Sequence, residues 1–186
     1  MIFDSFMEDT MKAGHYENRK ESVEIMINSS RDIINELIGY GVDFATKDGK
    51  LDYTREGAHS KPRILFHEDI TGKEITSTLL DVVRKLENVT IMEYVTMTDI
   101  IEKDNVCYGV LAKDANNNEM SIEAGYTIFA CGGIGGLYDH STNYPHLTGD
   151  AIAIAIQHGI KLENVDYVQI HPTTLYTKKK RKSLPY

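Results

Sequence analysis

The chain has 186 residues, of which 41% are apolar and 26% charged, with a net charge of −8. That length and composition suit about one globular domain with a real core and exclude disorder as a whole-chain description. The acidic balance argues against a general nucleic-acid or anionic-membrane binder, because both need an electropositive footprint.

Two cysteines, Cys107 and Cys131, make neither a disulfide framework nor a metal-ligand spacing, which points to a reduced, cytoplasmic setting. No window approaches the roughly 20 apolar residues of a membrane span. The opening MIFDSFMEDTMKAGHY is helix-like and carries acidic residues where a signal peptide would have an apolar core. The single basic run, Lys178-Lys179-Lys180-Arg181-Lys182, reads as a solvated tail.

In chain order, residues 18–40 place Val23, Ile27, Ile33, Ile34, Leu37 and Ile38 among charged residues, which predicts an amphipathic helix ended by Gly39 and Gly41. Residues 53–72, YTREGAHSKPRILFHEDITG, show no helical or strand period yet concentrate carboxylates, cations and two histidines. A solvated connection is one reading of such a loop, and a functional loop is the other. A second helix is predicted over 73–86, with Ile75, Leu79, Leu80, Val83 and Leu86 at helical spacing.

From residue 88 the texture changes to short runs rich in Val, Ile, Thr and Tyr. VTIMEYV predicts a strand. TDIIE, VCYGVLA and EMSIE, separated by KDN and DANNN turns, predict an antiparallel meander over about 97–123. YTIFA predicts a last strand ending at Ala130, running into a turn with glycines at 132, 133, 135 and 136. Without side chains at Gly132 and Gly133, backbone N–H groups can approach a ligand, although a sharp turn alone also uses glycine. A helix follows over 148–159, capped by Thr148 or Asp150, and Asp150 in its first turn either caps the helix or accepts a ligand hydroxyl. NVDYVQIHPTTLY then extends to His171-Pro172. An early strand with a GxGxxG turn is missing, and the chain ends abruptly, so the expectation is an internal piece of a longer enzyme.

Three stretches in one order, TREGAHSKPRILFHEDITG, FACGGIGGLYDHSTNYPHLTGDAIAIA and VQIHPTTLY, resemble the flavoprotein superfamily of fumarate reductases, succinate dehydrogenases and L-aspartate oxidases. The E-G-x-H-S loop is similar to that of the L-aspartate oxidase branch. Departures are Ala58 and Ala151 where the family has Gly, and Cys131 where it has Thr. Ala58 is a difficulty only where the backbone needs positive φ.

The resemblance implies an α/β fold, a partial FAD-binding Rossmann-like domain with an antiparallel β-meander, lacking the N-terminal GxGxxG strand. It implies an incomplete FAD-binding domain over 1–170 and the start of the connection to a capping domain over 171–186. It further implies bound FAD, oxidation of L-aspartate to iminoaspartate with oxygen or fumarate as acceptor, a place at the first step toward NAD, and association with the next enzyme of quinolinate synthesis. Glu56 is the candidate catalytic carboxylate facing the substrate amine. His59, Ser60, His171 and Thr173 are candidates for substrate binding, and Gly132, Gly133 and Asp150 for the cofactor. Arg63 either neutralises a substrate carboxylate or forms an internal salt bridge, with Asp69 as its expected partner, while His67 and Asp69 order the loop. By itself the 186-residue piece is expected to be inactive. The alternatives are a fumarate reductase or succinate dehydrogenase flavoprotein and a non-catalytic remnant of the fold.

Overall fold

The computed structural model describes residues 2–170, so His171, Thr173 and the basic run lie outside the described residues. The chain divides into two compact units, Met1–Ile91 and Met92–Tyr186. Together they form a mixed α/β structure.

In the first unit α1 (Ile2–Ala13) packs on α2 (Lys20–Tyr40), and α2 packs on α3 (Thr71–Val83). Val23 and Ile27 on one stripe of α2 are buried, as are Val42 and Phe44 in the segment just past the helix. That exit is set by Gly41 at φ 101: its N–H donates to the Ile38 carbonyl, and the Val42 N–H donates to the Leu37 carbonyl at 3.0 Å. The pair satisfies carbonyls that a helix end leaves orphaned, in the pattern of a Schellman cap.

A hairpin follows, β1 (Thr46–Lys47) and β2 (Lys50–Leu51), with Thr46 opposite Leu51. Its two-residue loop is Asp48-Gly49, at φ 52 and 74, the doubly left-handed geometry of a type I′ turn. Past it, Thr54 and Ile64 exchange two backbone hydrogen bonds at 2.9 and 3.1 Å. The polar loop 55–63 is therefore tied off at its base.

In the second unit β3 (Thr96–Lys103), β4 (Val106–Lys113) and β5 (Glu119–Glu123) form an antiparallel sheet in the order β3-β4-β5. The first turn, Asp104-Asn105, is again positive in φ at both residues, 54 and 61. The second is organised by the Asp114 carboxylate, which accepts the N–H groups of Asn116 and Asn118 and the Asn118 side-chain amide at 2.8 to 2.9 Å. Helix α4 (Asp150–Gln157) packs on β3, and Ala151, Ile154 and Ala155 are buried in this unit with Ile100 and Ala112.

Two expected strands are not formed. VTIMEYV is irregular, and no strand is assigned to YTIFA, where Tyr126 and Ile128 are 95% and 88% exposed. A strand needs a neighbour for its N–H and C=O groups, and among the described residues no strand pairs with either segment. The cap of α4 also differs. Gly149 at φ 76 holds the N-cap position with no side-chain cap bond, and Thr148 Oγ1 instead donates to Asp150 Oδ1 at 2.9 Å.

Candidate active site

Loop 55–63, α1 and the turn after it line an open cleft of about 580 Å3 in the first unit, with Asp9 and Lys12 from the helix, His15 from the turn and residues 55–60 from the loop. Glu56 and His59 are brought together by a β-turn, in which the His59 N–H donates to the Glu56 carbonyl at 3.2 Å. The third position of that turn is Ala58, at φ 67. A type II turn asks for glycine there, so the small departure from the family pattern is one that strains the backbone.

The anchor of the loop is Asp9, a residue the sequence reading did not single out. Its Oδ2 accepts the Ser60 N–H at 2.8 Å, the Ser60 hydroxyl at 2.7 Å and Arg63 Nη1 at 2.7 Å. These donors, the Ser60 backbone N–H foremost, then the Ser60 hydroxyl and Arg63, stabilise the ionised carboxyl and lower its pKa from 3.8 to about 2. Asp9 sits on an amphipathic helix, where carboxylates are usually solvated, and its partners lie far along the chain; no local signal marks it.

Arg63 is correspondingly placed away from the role of a substrate cation. Its side chain is only 7% exposed, its salt bridge goes to Asp9 and not to Asp69, and its guanidinium lies 4.9 Å over the Phe6 ring. A second N–H of Nη1 faces His59 Nδ1 at 3.1 Å. Ser60 is engaged as well, its hydroxyl proton pointing to Asp9. His67 is held through backbone: Nδ1 lies 2.6 Å from the Asp43 carbonyl, and its N–H donates to Thr71 Oγ1 at 3.0 Å. The cleft thus presents Glu56, His59, Lys12, His15 and Arg55, with Asp9 as a second lining carboxylate whose Oδ2 is taken up by Ser60 and Arg63.

The glycine turn of the second unit separates into distinct roles. Gly132 is at φ 73, and a side chain there would be strained. Gly135 and Gly136 leave no room for a Cβ against Asn143 and Pro145, and the Gly136 N–H donates to the Leu147 carbonyl at 2.8 Å. Gly133 alone has open space where its Cβ would stand. Asp150 is exposed in the first turn of α4.

A family profile described as FAD binding domain matches residues 2–184. The chain belongs to the FAD binding domain family. Within this family it is similar to the L-aspartate oxidases of Clostridium perfringens, 44% identical over 95% of the chain, and Clostridium acetobutylicum, 45% identical over 92%. The chain spans 40% and 39% of the length of those two relatives. Its fold is similar to that of Mycobacterium smegmatis Sdh1 in complex with UQ1, with a TM-score of 0.76 and 29% identity, covering 84% of this chain and 28% of that one. The residues present suit the cofactor that names the family. Gly133 offers unobstructed backbone at an exposed turn, and Asp150 offers an exposed carboxylate at a helix start, with one oxygen accepting from Thr148, a donor and an acceptor of the kind a phosphate-bearing and hydroxyl-bearing ligand requires.

Proposed function

We propose that this chain is part of an FAD-dependent oxidase that converts L-aspartate to iminoaspartate, with oxygen or fumarate as final electron acceptor. The observation that carries the reading is the turn that sets Glu56 and His59 on one wall of a cleft also lined by Lys12, His15 and Arg55. Aspartate brings two carboxylates and one ammonium, so its site needs several donors or cations and one anion. Glu56 faces the ammonium. His59 donates to a carboxylate, and His171 and Thr173 supply further donors. Ser60 serves the site by fastening the loop through Asp9 in addition to any contact of its own.

When bound, FAD supplies the two-electron oxidation in which the substrate loses a hydride from Cα and a proton from nitrogen. Gly132, Gly133 and Asp150 are the residues of this chain that would hold it. The protein's part is orientation and charge, because correct placement of the reacting carbon lowers the barrier without a nucleophile. In this reading residues 1–170 supply part of a Rossmann-like FAD domain and 171–186 lead toward a capping domain. The protein works in the cytoplasm and passes its imine, which water hydrolyses, to the next enzyme of quinolinate synthesis. Among the described residues no helix is long and apolar enough to cross a membrane.

The test is anaerobic addition of L-aspartate to the purified full-length enzyme of which this chain is proposed to be part, supplied with FAD. Bleaching of the flavin spectrum, reversed by air or fumarate, is the expected result. Bleaching by succinate and not by aspartate moves the protein to the dehydrogenase branch, and bound flavin that neither compound bleaches overturns the oxidase reading of this chain.

A further inference from the structure

We infer that Asp9 and Arg63 are positioning residues for His59: the relay Asp9–Arg63–His59 holds the imidazole as its Nε2–H tautomer at the cleft wall. A guanidinium N–H can only donate. At 3.1 Å from Arg63 Nη1, His59 Nδ1 must therefore accept, which leaves the ring proton on Nε2. The same Nη1 is held at 2.7 Å by Asp9 Oδ2, and Nη2 reaches the hydroxyls of Ser5 and Ser60, both at 3.4 Å. Phe6 packs against both cationic and imidazole groups, its ring 4.9 Å from the guanidinium carbon and 5.6 Å from the His59 centroid at a tilt of 58°.

The arrangement has a chemical consequence. With its Nδ1 accepting from Arg63, His59 turns an Nε2–H donor toward the cleft, the group a carboxylate needs. Asp9 enters because it is what immobilises the guanidinium: without it Arg63 would be a buried cation with no counter-charge in this network. The loop anchor and the tautomer anchor are the same carboxylate oxygen, so loop closure and ring orientation are one event. That His59 then meets a substrate carboxylate rests on the function proposed above; the relay itself does not.

The experiment is a measurement of the ring nitrogen NMR shifts of His59 in the FAD-supplemented protein, assigned by comparison with His59→Asn. A single neutral tautomer with its proton on Nε2 is expected. Arg63→Met should convert it to a mixture of tautomers and weaken binding of succinate, a dicarboxylate without an amine, roughly tenfold, the loss of about one charge-assisted hydrogen bond. Asp9→Asn should move the same signals by a smaller amount. A wild-type ring carrying its proton on Nδ1, or ring shifts unmoved by Arg63→Met, overturns the relay. The wild-type spectrum decides the tautomer even where Arg63→Met does not fold. Ring shifts that follow the expectation in a protein with no affinity for succinate or aspartate support the relay and overturn the proposed function.

Discussion

Asp9 and Ser60 stand 51 residues apart in the chain, and one carboxylate oxygen of Asp9 accepts both the backbone N–H and the hydroxyl of Ser60. The loop that carries Glu56 and His59 is thereby closed onto α1 by a group that holds these donors most strongly when ionised. Because these bonds lower the Asp9 pKa from 3.8 to about 2, their stabilisation is complete above the unfolded value and is lost as pH falls through the folded one. The Ser60 amide resonance should accordingly titrate with a midpoint near 2, and loop order should persist at pH values where ordinary carboxylates are already protonated. A midpoint at 3.8 would mean that Asp9 does not hold the loop.

Ala58 occupies the left-handed region at φ 67 in the turn between Glu56 and His59. An L-residue with a Cβ costs about 1–2 kcal/mol there, while glycine adds an entropic cost in the unfolded chain of roughly 0.5–1 kcal/mol. Ala58→Gly should therefore raise stability by about 0.5–1 kcal/mol, read as a higher urea midpoint with an unchanged slope. A lower midpoint would exclude the left-handed turn.

Gly109 is buried inside β4 at φ 138, and a Cβ on it would overlap the Ile122 carbonyl and crowd the Glu123 Cα of the neighbouring strand. Backbone on a paired strand cannot step aside without breaking the ladder. Gly109→Ala should destabilise the second unit by about 3 kcal/mol or more, with loss of protection first at the β4–β5 amides in hydrogen exchange.

What could be read from the residues depended on whether the deciding partner lay nearby. The meander was legible because KDN and DANNN announce tight turns between β-rich runs, and the sheet has the order those turns dictate. The Asp48-Gly49 hairpin carried an equally good signal that the reading of this loop passed over. YTIFA shows strand composition, but composition states a preference and not a partner, and no described strand pairs with it. At the site, the clustering of ionisable residues in loop 55–63 was visible. Its anchor was not, since Asp9 looks like any solvated helix carboxylate and its bond to Arg63 crosses 54 positions. Asp69, the nearer acid, was the wrong partner for that reason.

His158, just past the end of α4, is within 2.7 Å of Asp99 Oδ1 through Nε2 and 4.0 Å of Glu102 through Nδ1. The His158 hydrogen bond is the largest cause lowering the Asp99 pKa, followed by the Ile100 N–H. The contact therefore contributes above the unfolded value of Asp99 and is lost as pH falls through its depressed folded value. His158→Ala should raise the Asp99 carboxyl titration toward 3.8, and exchange of the last α4 amides should quicken. An unmoved Asp99 titration would show that the helix is held by its apolar face alone.

In the proposed function Glu56 is the residue that separates an amino acid from a plain dicarboxylate. Its exposed side chain lines the cleft beside cationic and donor groups suited to carboxylates, and neutralising it removes an anion that Ser60 and Arg63 do not engage, as they do Asp9. Glu56→Gln keeps size and removes charge. A lost ion pair of this kind costs roughly 1.5–3 kcal/mol, so the aspartate requirement should rise about tenfold to a hundredfold while succinate binding stays within about twofold. The check is a paired titration of both compounds on FAD-supplemented wild type and variant. Equal losses for the two would place the effect of Glu56 in the shape of the loop, since a charge that faces the amine has nothing to offer a ligand without one.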